Sequence, residues 1–306
     1  MDVGTRNSRS GNTRAWLGAM RLRTLPLALS TTFTGAFLAQ QYLELDVLVL
    51  VLTALTTILL QINSNLANDF GDFEHGTDND ERIGPERALQ SGAISSREMK
   101  NGIRLTSSLS FISGIILIWI VPLDLIAKAV FLLLGSAAIY ASIRYTAGTN
   151  PYGYKGLGDV AVMAFFGFLG VIGAFVCQTG EFYLTILLPA IGIGALSTAV
   201  LNVNNTRDIE SDTNADKITL AVKLGPKLAR RYHLILLTFG AAGFVVYALI
   251  QFDSWKEWLF VLTFPLLIIN GLTVYKSEAK KLDPMLKQLA ISTFLISLLL
   301  GIGQWV

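Results

Sequence analysis

Two short stretches of this 306-residue chain concentrate the side chains that can do chemistry. The first reads Asn65-Leu66-Ala67-Asn68-Asp69-Phe70-Gly71-Asp72-Phe73-Glu74-His75-Gly76-Thr77-Asp78. The second reads Asn202-Val203-Asn204-Asn205-Thr206-Arg207-Asp208-Ile209-Glu210-Ser211-Asp212-Thr213-Asn214-Ala215-Asp216. Seven acids fall between Asp69 and Glu86 and four between Asp208 and Asp216, which is half of the 22 in the chain. Asn204, Asp208, Asp212 and Asp216 recur every fourth residue, which on a helix is one face. Asn68 and Asp72 repeat the first pair of that ladder 136 positions earlier. Like charges at this spacing repel by about 0.2–0.5 kcal/mol per pair, and by more beside low-dielectric lipid, so the ladder wants a cation. Oxygen donors without His or Cys favour Mg2+ over zinc or copper, and two carboxylate sets with open coordination positions suit Mg2+ bridged by substrate phosphate oxygens. The plain alternative is a pair of solvated acidic loops. A Ca2+ loop is a poor match, because neither cluster keeps the required Gly and Glu register.

The elements that must position these clusters are membrane helices. The chain is 52% hydrophobic and 15% charged, against ~25% charged in an ordinary soluble domain. Its mean hydropathy is +0.54. These values exclude a disordered or nucleic-acid-binding chain, and a net charge of +2 gives no reason to expect a polyanion partner. One cysteine, Cys177, allows no internal disulfide, and His75 and His233 lie too far apart for a histidine zinc site. A bilayer core needs about 20 apolar residues per helix. The pattern predicts nine spans, at roughly 25–42, 46–65, 105–122, 125–143, 160–178, 182–203, 232–251, 257–275 and 287–306. The resulting connections place 22 of the 24 Lys and Arg on one side, leaving only Lys128 and Lys256 on the other. The positive-inside rule then makes the N-terminus cytoplasmic, with residues 1–24, 66–104 and 204–231 on that side. The expected fold is all-α: a polytopic bundle of nine transmembrane helices forming a single domain over 1–306. Both acid clusters begin where an even-numbered span reaches the cytoplasm. Gly167, Gly170 and Gly173, with Ala164 and Ala174, read as a small-residue stripe for close helix packing. Cys177 reads as packing and His75 as a loop residue. The bases Lys223, Lys227, Arg230 and Arg231 suit anionic headgroups among the surrounding membrane lipids.

The blocks Asn68-Asp69-x-x-Asp72 and Asp208-x-x-x-Asp212, together with nine spans, resemble the UbiA superfamily of intramembrane prenyltransferases. Four further stretches look like the branch of that superfamily acting on 1,4-dihydroxy-2-naphthoate. They are Leu22-Arg23-Thr24-Leu25-Pro26, the run from Arg82 to Gly92, Tyr154-Lys155-Gly156-Leu157-Gly158-Asp159, and Arg207-Asp208-Ile209-Glu210-Ser211-Asp212. The resemblance runs from residue 21 to about 225 on motifs and to the end on span count. It implies Mg2+-dependent transfer of a long isoprenoid from a polyprenyl diphosphate to a ring carbon of dihydroxynaphthoate with loss of CO2, a step of menaquinone biosynthesis in a bacterial inner membrane. It assigns Asn68, Asp72, Asp208 and Asp212 to the metal, with Asp69, Asp78 and Asp216 as further candidates. The superfamily's second aspartate of the first motif is replaced here by Gly76, and Asp78 stands two residues further on. Arg144 and Lys155 are expected to meet the diphosphate, Arg23 the naphthoate carboxylate, and Tyr140 an allylic cation. Two rivals are the same fold acting on another acceptor such as 4-hydroxybenzoate, and a cation-coupled transporter. Transporter ion sites lie near the bilayer midplane, whereas these acids lie at span ends.

Overall fold

The computed structural model describes residues 13–77 and 87–305, and within them every regular element is helical. Among the described residues, eight helices are long and apolar enough to cross a membrane. We label the bundle α1 Leu25–Leu38, α2 Val47–Glu74, α3 Ser96–Ile120, α4 Leu125–Arg144, α5 Gly158–Thr179, α6 Leu184–Arg207, α7 Leu220–Gln251, α8 Trp255–Lys276 and α9 Asp283–Trp305. The chain is a multi-pass integral membrane protein. Helix α1 is shorter than expected: 14 α-helical residues between tighter turns at Leu22–Thr24 and Ala39–Gln41.

Local chemistry explains most boundaries. Asp46 accepts from the backbone amides of Leu48 and Val49 and so caps α2. Ser95 with Glu98 and Ser254 with Glu257 form capping boxes for α3 and α8. Asp124 caps α4 and Thr219 caps α7. Within α7 the chain kinks at Gly225, whose φ of 72° precedes Pro226.

Outward faces are apolar, as lipid requires: Trp119 on α3 is 81% exposed and Leu125 on α4 is 83% exposed. Helix α6 is the buried axis, packed between α5 and α7, while α1 packs on α9 and α5, and α2 on α3 and α4. Several polar side chains inside the bundle pair across helices. Asn63 on α2 accepts from Thr106 and Ser107 and donates to Ser142. His233, Asn270 and Gln288 link α7, α8 and α9.

The small residues of α5 divide into two kinds. A Cβ on Gly167 would strike the Ala190 carbonyl and Gly194, and one on Gly170 would strike Thr31, so these two do allow close packing. Gly173 does not, since its nearest neighbour there is a side-chain carbon of Leu169 at 4.0 Å. The middle of α5, Met163–Ile172, is wound as wide π turns rather than as the regular α-helix its spacing predicts.

Candidate active site

Helix α2 does not end near residue 65 but continues to Glu74, so Asn68 and Asp72 share a helical face at the end of a membrane span. Close approach makes this possible. A Cβ on Gly71 would overlap the backbone carbonyl of Thr146, whose hydroxyl donates to the Ala67 carbonyl and to Asn68 Oδ1. Gly71→Ala is therefore expected to lower stability by about 1–3 kcal/mol through overpacking and to displace Asn68 and Asp72. Thermal unfolding and turnover measure this together, and an unchanged Tm with unchanged turnover contradicts it.

The second cluster is built differently from the expected ladder. Helix α6 ends at Arg207, Asp208 is non-helical at φ −101° and ψ 12°, and a short helix Ile209–Asn214 follows. Asp216 lies in an exposed turn at φ 54°, away from the cavity wall to which Asn204, Asp208 and Asp212 all contribute. The break has a cause in Arg207, which is 2% exposed. Its Nε and Nη2 donate to the two Asp208 oxygens at 2.7 Å each. The same guanidinium also reaches Asn204 and Asp283.

Both clusters open on one cavity of about 440 Å3, whose wall includes Asn68, Asp72, Asn204, Asp208, Asp212, Arg21, Arg23, Arg87 and Lys217. Lys217 joins the two motifs: its Nζ lies 3.5 Å from Asp72 Oδ1 and 3.6 Å from Asp212 Oδ1. Burial opposes its charge, but the two carboxylates outweigh burial and hold the ammonium pKa above its usual value. Burial, with the Asp208 and Asp72 carboxylates, pushes Asp212 up to about 6 against the pull of Lys217. The Tyr154 hydroxyl donates to Asp72 Oδ1 at 2.7 Å. Burial, and then the Asp72 carboxylate, raise the pKa of that phenol. The site thus keeps carboxylates and an ammonium packed together, a mixture that fits a ligand carrying both metal and anionic oxygens.

The donor set fits a hard cation. Asp212 Oδ2 is buried without a hydrogen-bond partner, and the nearby donors are carboxylate and amide oxygens. Among the described residues no three His, Cys, Asp or Glu side chains form an all-protein metal cage. Mg2+ is ordinarily held by one or two carboxylates plus phosphate oxygens rather than by such a cage.

The model of the UbiA prenyltransferase family matches residues 28–299. The chain belongs to the UbiA prenyltransferase family. It is 47% identical to the 1,4-dihydroxy-2-naphthoate octaprenyltransferase of Haemophilus influenzae, covering 95% of each chain. Against the enzyme of the same name from Escherichia coli it is 42% identical over 96% of this chain and 97% of that one. The fold matches the apo UbiA homolog of Aeropyrum pernix with a TM-score of 0.72 at 18% identity, covering 91% and 97% of the two chains. It also matches the Archaeoglobus fulgidus UbiA homolog bound to GPP and Mg2+, with a TM-score of 0.64 at 18% identity, covering 95% and 100%.

Within this UbiA chain the other expected site residues separate. Arg23 lines the cavity and pairs with Asp283 at 3.6 Å. Tyr140 does not reach the cavity: it is 67% exposed on the outer face of α4. Arg144 folds over the Gly148 turn, and Lys155 is exposed with its carbonyl accepting from Lys223. Neither contributes to the cavity wall. Asp69 is also turned away, buried at 1% exposure and ion-paired to Arg21 and Arg87. Those two arginines, oriented by Asp69, line the mouth instead. Asp78 lies outside the described residues. Lys217, Tyr154, Arg87 and Arg207 were not singled out by spacing. The available signals were adjacency, since Arg207 directly precedes Asp208 and Lys217 directly follows Asp216, and for Tyr154, Arg87 and Arg207 their place in the stretches that carry the family resemblance.

Proposed function

We propose that this prenyltransferase moves a polyprenyl group from polyprenyl diphosphate to 1,4-dihydroxy-2-naphthoate, releasing diphosphate and CO2 and giving demethylmenaquinol, the reduced form of demethylmenaquinone. The observation that carries the reading is the meeting of the two aspartate motifs at Lys217, at the mouth of a cavity whose deeper wall is largely apolar. The names of relatives at 47% and 42% identity over nearly the whole chain support the acceptor and donor.

Asn68, Asp72, Asp208 and Asp212 would hold Mg2+, which when bound neutralises charge on the leaving diphosphate. The chain's own residues do the rest. Lys217, Arg21 and Arg87 donate charge-assisted hydrogen bonds to diphosphate oxygens, favouring the state in which the allylic C–O bond breaks. Arg23 pairs with the naphthoate carboxylate near the same mouth. Apolar wall residues such as Phe165, Phe166 and Leu169 exclude water from the allylic cation. The ring carbon bearing the carboxylate attacks that cation, and CO2 leaves with the bonding pair returning to the ring.

In this reading the chain is one catalytic domain over 1–306 in a bacterial inner membrane, with its active site and N-terminus cytoplasmic. The placement of 22 of 24 bases supports that orientation. Helix α1 serves as the ninth span: with its flanking turns, residues 22–41 rise about 33 Å, enough for the bilayer core. A panel of acceptors given to purified protein with Mg2+ and octaprenyl diphosphate tests the proposal. Prenylated naphthoquinol from dihydroxynaphthoate is the expected product. Product from 4-hydroxybenzoate and none from dihydroxynaphthoate overturns the acceptor assignment.

A further inference from the structure

The deep end of the cavity carries three glycines that packing does not explain. Glycine inside a helix costs about 1 kcal/mol relative to alanine, and close approach of a neighbouring element usually offsets that cost. Gly35, Gly71, Gly167 and Gly243 follow this rule, since a Cβ on each would meet another helix or loop at under 3.0 Å. Gly114 on α3 and Gly135 on α4 do not, because nothing lies within 4 Å of where their Cβ would stand. Gly173 on α5 meets only Leu169 Cδ1, at 4.0 Å. All three line the cavity, and they come from three different helices.

Cross-helix hydrogen bonds fix their depth. Asn63 on α2 donates to Ser142 on α4 at 2.8 Å, and these two helices run in the same direction. Seven residues back along each stand Thr56 and Gly135, so those two share a level. Thr56 is hydrogen-bonded to Ser113 at 2.8 Å, which brings Gly114 to the same level. Thr56 lies sixteen residues before Asp72, about 24 Å along the helix axis. Reciprocal hydrogen bonds between Gln178 and Asp46 hold the end of α5 beside the start of α2, which puts Gly173 in this deep half as well. Just beyond, Leu117, Phe131 and Cys177 line the cavity and pack with Val49 and Val121, closing its floor.

We propose that Gly114, Gly135 and Gly173 keep open the seat for the far end of the donor's isoprenoid tail, and so set how long a donor the protein takes. This rests on the prenyl-transfer reading above. With the diphosphate held at Asp72 and Lys217, only an elongated apolar group can extend that far into an apolar channel inside the bilayer. A Cβ at any of the three glycines meets no protein atom closer than 4.0 Å, so a side chain growing from it takes volume from the tail and the effect must grow with tail length. A headgroup effect would not depend on tail length.

The test compares kcat/KM for octaprenyl and geranyl diphosphate, with one acceptor, in wild type and in Gly114→Leu, Gly135→Leu and Gly173→Leu. Each Leu variant is expected to lower the octaprenyl-to-geranyl ratio by about tenfold or more, the scale at which a filled apolar pocket discriminates. The matching Ala variants are expected to hold or raise Tm, because they remove a helix glycine without a clash. An unchanged ratio overturns the proposal, whether both donors keep their rates or lose them together. Should one Leu variant fail to fold, the other two, on different helices, decide the matter. Wild-type protein that transfers neither donor overturns the prenyl-transfer reading itself, a result distinct from an unchanged ratio.

Discussion

Asp72→Asn and Asp212→Asn are each expected to lower kcat for prenyl transfer by about 10²–10³-fold, the usual cost of deleting one electrostatic contributor to charge stabilisation in a water-excluded site. Both carboxylates are buried and meet the same Lys217 ammonium from opposite motifs. Removing either charge leaves that ammonium half-compensated and removes one of the oxygens proposed to face the metal. Asn keeps size and much of the hydrogen bonding, so the loss should be in turnover rather than in folding. Tyr154 gives an internal comparison. Its hydroxyl supports Asp72 without reaching the cavity wall, so Tyr154→Phe should cost far less than Asp72→Asn. Steady-state rates with a fixed donor and acceptor measure the difference. Near-normal turnover in both Asn variants contradicts the assignment.

Arg207→Leu is expected to destabilise the protein by about 3–5 kcal/mol, the range for breaking a buried ion pair by deleting one partner. Arg207 is 2% exposed and makes the two-pronged contact to Asp208, and it ties that carboxylate to Asn204 and to Asp283 at the start of α9. Leucine fills part of the volume but leaves Asp208 buried and uncompensated. Arg207→Lys keeps the charge but loses the planar fork, so it should recover part of the stability and little of the Asp208 orientation. Thermal unfolding in detergent, with turnover measured on the same samples, separates the two effects. A Tm equal to wild type in Arg207→Leu contradicts the role given to this guanidinium.

Side-chain type and spacing carried much of the site. Asn68, Asp72, Asp208 and Asp212 stood out because acids are scarce in this chain and recur at helical spacing, and the structure brings all four to one cavity. Spacing misled at Asp208 and Asp216, because the helix breaks where Arg207 grips Asp208, a tertiary contact that periodicity does not contain. Proximity along the chain misled at Tyr140: the residue sits one turn from Arg144, but α4 turns it outward. Lys217 was hidden for the opposite reason, being one of six bases in a stretch that looks like ordinary membrane anchoring. Only the fold, by closing that loop over α2, sets it between two carboxylates. The fold class was readable from hydropathy, while the π turns of α5 and the empty space around Gly114, Gly135 and Gly173 arise only when helices meet.

The most direct test of the central claim is diphosphate release by the purified protein supplied with octaprenyl diphosphate and dihydroxynaphthoate, first in excess chelator and then after Mg2+ is added back. The two-motif site predicts no release in chelator and full release, with prenylated product, on addition of Mg2+. Equal release under both conditions would contradict it.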